Sequence, residues 1–487
     1  MHFPNLLCQI LAMVSLALLC GCSRETTKEA TRRQDKQRPI PVDHPQTDPS
    51  GKASLSATGN ENVERGQQPM PDIPRAQEEL LEAGVSEAAD PAGMGYGKLQ
   101  EDTMTALESG NLTEAFELVR ELERVDGENP QTIFLMARVL AEKHRFRQAV
   151  KMLDDLAVDF PDAKLAVLGQ TAEWLVFQGD WTAAEERYRT LLTLVDETSL
   201  IDRLLSRLLI RQGRQVEARV LLQRLCKAGN VEEMDLRSLL SLSWPLPGDA
   251  ATEAFEPIGL QGIVRNAISL GEIDPAIEML LQAEDENSAA FGAAEFALLG
   301  RLLVLTGQHD RIAGWVDRAP EGVEQYSDYW FALGKSQLEQ KNFSEAVNSL
   351  CRAVLLDETD HRAYRMLAAA LKAIGNHEQA EDAVERADWI QQTVKLGDQM
   401  ASSPQRDVRQ IGGLIELLEK LRRPLEALGW RGIQVAYGRA NSMLDESSAK
   451  NVLQMINQKR VAELQKKDTD ARRSFITCGV NLPPRSN

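Results

Sequence analysis

The hydrophobic positions of this chain are spaced as on one face of an α-helix, and the pattern restarts at near-constant intervals. An alanine that opens such a run stands at Ala115, Ala149, Ala184, Ala218, Ala276, Ala346, Ala380 and Ala427, with Ile312 in the same role. Successive steps are 34, 35, 34, 58, 36, 34, 34 and 47 residues. A fixed period of this length predicts a stack of two-helix units, none able to bury its apolar face alone. If each alanine is position twenty of a 34-residue unit, position fifteen is Gly110, Gly179, Gly213, Gly271, Gly307 and Gly375 in six of the nine units. Glycine there predicts a left-handed C-cap that ends the first helix before the chain reverses.

Other positions agree with this register. Position eight is small or modest at Thr103, Ala137, Ala172, Ser206, Gly300, Gly334 and Ala368, with Val264 and Ile415 bulkier, which lets the two helices of a hairpin approach closely. Position seven, including Ile263 and Leu367, and position twenty-four, from Val119 to Val384, are apolar and should form a continuous core between neighbours. Two stretches interrupt the period. Residues 231–256 read as an added helix to Ser243 followed by an exposed loop at Trp244-Pro245-Leu246-Pro247-Gly248, so the array divides into blocks at 96–232 and 257–394. Thirteen extra residues then lengthen a helix past Trp389, in a 395–441 segment that carries the ninth unit. In 442–487, an amphipathic helix from Ser447 with Val452, Met455, Ile456 and Leu464 on one side reads as a cap on the stack, followed by a tail.

The units resemble the tetratricopeptide repeat family. The clearest are 327–360, with Trp330, Leu333, Gly334, Ala346, Leu350 and Ala353 on the motif positions, and 361–394, with Tyr364, Leu367, Ala368, Ala380, Val384 and Ala387. Such a resemblance implies an all-α fold, a right-handed superhelix or α-solenoid of about nine hairpins with a C-terminal capping helix. It covers about two thirds of the chain, less closely in the outer units, where Asp102 and Arg431 replace expected apolar residues.

Before the repeats the pattern changes. An apolar stretch from Leu6 to Leu19 is too short for the ~20 residues that span a bilayer and reads as a secretory signal. Its end, Leu19-Cys20-Gly21-Cys22, resembles the bacterial lipobox, which makes Cys22 the lipidated residue. Cys20 stands where a small non-thiol residue is commoner, and no basic residue precedes the apolar run. The signal is assigned to 1–22 and a disordered tether to 23–95, with a short helix at 75–83 and a flexible glycine-rich hinge at Gly93-Met94-Gly95-Tyr96-Gly97. A coil of about 50 residues would hold the body on the order of 40 Å from the membrane. The expectation is an exported lipoprotein anchored on the periplasmic side of the cell envelope.

Composition supports helix: Ala, Leu, Glu, Gln and Arg dominate the repeats, and aromatics make up only 5% of the chain. A net charge of −18 argues against nucleic acid as a partner. Enzyme chemistry finds no support. The run around Gly97-Lys98 lacks the first glycine and the hydroxyl residue of a phosphate loop, having Ala92 and Leu99 in their places. No HExxH, GxSxG or CxxC occurs, and Cys226, Cys351 and Cys478 are widely separated. No metal and no cofactor is expected.

What the resemblance implies instead is a binding surface, with first-helix positions two, five, nine, twelve and thirteen facing a concave groove. Position nine is basic at Arg138, Arg207, Arg265, Arg301 and Lys335. Arg203 and Arg211 flank Arg207 on the same face, and Arg362 and Arg365 continue the basic side. Arginine grips carboxylates bidentately, so the expected partner is a protein segment that is acidic or ends in a carboxylate. The expected function is therefore a scaffold or assembly factor. The alternatives are a peptidoglycan- or carbohydrate-associated accessory lipoprotein, for which the groove offers only Phe134, Phe177 and Phe331 as aromatics, and a self-associating envelope protein.

Overall fold

The computed structural model describes residues 91–252, 255–286, 288, 290–403, 407–466 and 469–482. Cys22, the signal, the tether to residue 90 and its short helix lie outside them. Among the described residues there are 22 α-helices and no strand. The chain divides into two compact units, residues 1–135 and 136–487, the division falling within one helix.

In the first unit α1 (Pro91–Glu108) pairs with α2 (Leu112–Asp126), and α3 (Pro130–Glu142) begins. The glycine-rich run is no hinge: it forms the first turns of α1, whose tyrosine hydroxyl at Tyr96 lies 2.7 Å from Thr132 Oγ1.

The second unit continues with α4 (Phe146–Asp159) and the hairpins α5 (Lys164–Gln178) with α6 (Trp181–Leu194) and α7 (Ser199–Arg211) with α8 (Gln215–Ala228). The inserted stretch follows as α9 (Glu233–Leu240) and the single turn α10 (Pro247–Ala250). Then come α11 (Gly259–Ser269) with α12 (Ile273–Asp285), and α13 (Ala293–Leu305) with α14 (His309–Asp317). Next are α15 (Ser327–Glu339) with α16 (Phe343–Leu356), and α17 (His361–Ala373) with α18 (His377–Ala401), the last lengthened to 25 residues. The unit ends with α19 (Val408–Lys420), α20 (Pro424–Ala440), α21 (Glu446–Leu464) and α22 (Thr469–Ile476).

Every turn between the helices of a hairpin has one geometry. Position fifteen is left-handed in all nine units, including the three without glycine: φ is 57° at His144, 65° at Lys341 and 53° at Arg422, against 74° at Gly110 and 86° at Gly375. The amide of position sixteen donates to the carbonyl of position eleven each time, as from Asn111 to Ala106 at 2.8 Å and from Asn342 to Gln337 at 2.9 Å. This is the 6→1 bond of a Schellman cap, which satisfies a helix-end carbonyl and fixes the reversal. Packing follows from that reversal. Position twenty is buried in all nine units, and Gly300 and Gly334 are so close to Trp315 and Leu350 that a Cβ would meet those side chains.

The core departs from the expected register at two places, since Ile263 and Val384 face solvent. Val264 next to Ile263 takes the buried place. Cys226, Cys351 and Cys478 are buried free thiols.

The inserted stretch is the main correction to the sequence reading. The insertion is buried: Leu236, Leu239 and Leu240 of α9 and Leu242 and Leu246 after it are all covered. Full burial of a leucine contributes about 1.5–3 kcal/mol, so the five leucines account for the insertion turning inward. They pack toward α18 and α20, where Gly397 adjoins Leu240 and Leu246 and Gly429 adjoins Leu236. The C-terminal end also differs from expectation. In α21, Ala449 and Ile456 are buried whereas Met455 and Leu464 are exposed. The chain then returns instead of ending as a tail: Tyr364 donates to the Ile476 carbonyl at 3.0 Å, and Arg472 pairs with Glu358 at 2.8 Å.

Candidate peptide-binding groove

The nine cations expected to line a groove fall into two sets. Six meet the chain's own 230–256 segment. Along α7, Arg203, Arg207 and Arg211 stand one turn apart and hold the two ends of that segment. Arg203 pairs with Asp235 at 3.2 Å and donates to the Asn230 carbonyl at 2.8 Å. Arg207 pairs with Glu232 at 3.0 Å, and Arg211 donates to the Glu256 carbonyl at 2.7 Å and pairs with its carboxylate at 3.2 Å.

The middle of the segment is held by the other three. Arg265, buried on α11, donates to the Ser243 carbonyl and pairs with Asp328 at 2.6 Å. Arg301 on α13 has no exposed surface and pairs with Asp328 at 3.1 Å and Asp360 at 2.7 Å. Its guanidinium lies between two rings, 4.7 Å from the centre of Trp244 and 4.2 Å from that of Phe331. Arg362 covers Trp244 from α17 at 5.2 Å. Burial alone would push the Arg301 guanidinium down, but Asp360 and Asp328 more than offset it and hold the charge.

The remaining three are engaged elsewhere. Arg138 is buried beside Glu173, Lys335 pairs with Glu339 one turn along α15, and Arg365 pairs with Asp388 at 2.7 Å. The structure thus does not present Arg265, Arg301 and Arg138 on an open surface. Phe331, one of the three groove aromatics, is buried as well.

Sequence reasoning missed the carboxylates and hydroxyls that complete this arrangement. Ser243 donates to Asp357 at 2.6 Å, Thr359 accepts from the Leu242 amide at 2.9 Å, and Ser269 donates to the Pro245 carbonyl at 2.7 Å. Asp398 accepts from the Gly248 amide at 2.7 Å. Burial, and then the neighbouring Asp360 carboxylate, push the Asp357 carboxyl above the usual range. Arg301 keeps Asp360 below it against the opposing effect of burial. The one available signal was composition, four leucines in the part read as an added helix and Trp244 and Leu246 in the part read as an exposed loop.

Away from the insertion the repeat surface is more open. Phe177, at position thirteen of α5, is 61% exposed and stacks on Phe146 with ring centres 6.0 Å apart. A Cβ on Gly169, at position five of the same helix, would meet nothing. Burial pushes the Glu173 carboxyl up, against the help of Gln170 and Arg138.

Family models described as tetratricopeptide repeat match residues 106–168 in one case and 172–232 and 331–392 in another. The chain carries tetratricopeptide repeats. Such repeats suggest a protein–protein interaction scaffold. No curated protein matches the chain. Among solved structures, a tetratricopeptide repeat protein from Parabacteroides merdae is 14% identical, over 57% of this chain and 100% of that one, with a TM-score of 0.25. The Cut9–Hcn1 hetero-tetramer of APC/C matches at 15% identity over 78% of this chain and 82% of that one, with a TM-score of 0.26. Naa15/Naa10 bound to HypK-THB matches at 11% identity over 78% and 60%, with a TM-score of 0.26. The repeats are carried by the residues the family models match and by nine turns of one geometry.

Proposed function

We propose that this protein is an exported, lipid-anchored tetratricopeptide scaffold that captures a protein partner on the first helices of its N-terminal repeats, around Phe177 on α5. The observation that carries the reading is Phe177 itself, a large aromatic left 61% exposed at a groove position while the groove cations of later repeats are engaged by the chain's own residues. An exposed aromatic, with an open backbone at Gly169 about two turns earlier on the same helix, suits an apolar anchor from a partner, the kind of contact that dominates protein interfaces. Supporting export are the apolar stretch from Leu6 to Leu19 and the Leu19-Cys20-Gly21-Cys22 sequence after it. Arg207 and Arg365 stay partly exposed although paired, and they could steer an acidic partner segment. Two substitutions test the reading. Cys22→Ser should move the protein from the membrane to the soluble fraction, and Phe177→Ser should release the co-purifying partner while helicity is unchanged. Retention of the partner by Phe177→Ser would contradict the assigned surface.

A further inference from the structure

Residues 241–248, Ser-Leu-Ser-Trp-Pro-Leu-Pro-Gly, lie against the later repeats as a bound peptide would. Their main chain is held at four points by side chains from three places in the later repeats: Thr359, just before α17, takes the Leu242 amide, Arg265 and Ser269 of α11 take the Ser243 and Pro245 carbonyls, and Asp398 of α18 takes the Gly248 amide. Two side chains are read as well. The Ser243 hydroxyl donates to buried Asp357, and the Trp244 ring lies against Arg301 and Arg362. The carboxylates flanking the segment, Glu232 and Asp235 before it and Glu256 after it, meet the arginine row of α7. Gripping of main-chain groups by side chains, together with an aromatic anchor and charge-matched flanks, is the chemistry of peptide recognition and goes beyond what burial of a connecting loop requires.

We propose that the groove of repeats five to eight is a recognition site for an extended segment carrying Ser-Trp-Pro between acidic flanks, and that the chain fills this site with its own residues 241–248. The site is separate from the surface around Phe177, and the inference goes beyond the scaffold reading. A groove filled in this way is closed to outside segments. The tethered copy competes at the high effective concentration that a short connection gives, so only removal of that copy opens the site.

The experiment uses the full chain with residues 241–248 replaced by glycine and serine at equal length, and a labelled synthetic peptide spanning 232–256. The peptide should bind the replaced chain and not the native one, as read by fluorescence anisotropy. Its affinity should fall with added salt, and a peptide with Trp244→Ala should bind at least about tenfold more weakly. If the replaced chain is helical and the peptide does not bind, the proposal is overturned. If the replacement costs the fold, peptide present during refolding should restore helicity and a cooperative melt. Failure to restore them would equally overturn it. The Phe177→Ser result is independent of every outcome here.

Discussion

Arg301 and Asp360 form a 2.7 Å ion pair at a point that solvent does not reach, with Asp328 3.1 Å from the same guanidinium nitrogen, Nη1. Asp328 has a second cation in Arg265 at 2.6 Å, whereas Asp360 pairs with Arg301 and also caps α17 by accepting from the amides of Arg362 and Ala363. Removing one partner of a buried pair leaves an uncompensated charge, at a cost of about 3–5 kcal/mol. Arg301→Met should lower stability by that amount in urea unfolding. A loss below about 1 kcal/mol would mean that the cluster relaxes or admits water.

Asp357, one turn before, gives a pH test. In the folded protein it keeps its proton to higher pH than in the unfolded chain, because burial and the Asp360 carboxylate disfavour its charge. As pH rises above the ordinary carboxylate value of about 4, the unfolded chain loses this proton first. Native stability falls by this contribution until the raised folded value is passed. Asparagine has no proton to lose. The stability of Asp357→Asn relative to the native protein should therefore rise with pH over that window and then level off. A difference that does not change between pH 3 and 8, followed by urea unfolding at each pH, would contradict the account.

The hairpin turns make a third prediction. Lys341 is exposed and holds φ at 65°, a conformation that costs a side-chain-bearing residue about 1–2 kcal/mol. Lys341→Gly should stabilise the protein by about 1 kcal/mol, less the entropy that glycine adds to the unfolded chain. Gly375→Ala, at φ 86° with open space around the added methyl, should destabilise it by about 1–2 kcal/mol. The opposite signs, measured as shifts in denaturation midpoint, distinguish a backbone requirement from a packing one.

These turns also show how far the sequence was legible. Six glycines at position fifteen marked the reversals, and burial of position twenty followed from the alanine spacing. His144, Lys341 and Arg422 gave no local sign, because neighbouring packing imposes a left-handed turn that their own preferences oppose. The candidate site was read less completely. Arg203, Arg207, Arg211, Arg265 and Arg301 could be placed on equivalent positions by counting, but their partners could not. Arg265 meets Asp328 from 63 residues away, and Leu242 meets Thr359 from 117, distances that a helical period does not encode. The loop at Trp244–Gly248 was misread as exposed because its two prolines carry a local turn signal, while the cover over Leu246 comes from α18, where Gly397 adjoins it.

The scaffold reading places a docked partner around Phe177. It is tested most directly by placing a photo-crosslinking phenylalanine analogue at position 177 of the full chain in the cells that produce it. The control position is Val220, equally apolar and 55% exposed, on the second helix α8. Irradiation should give one discrete adduct from position 177, recovered with the membrane fraction, and none from position 220. Adducts from position 220 alone, or the same adducts from both, would contradict the claim.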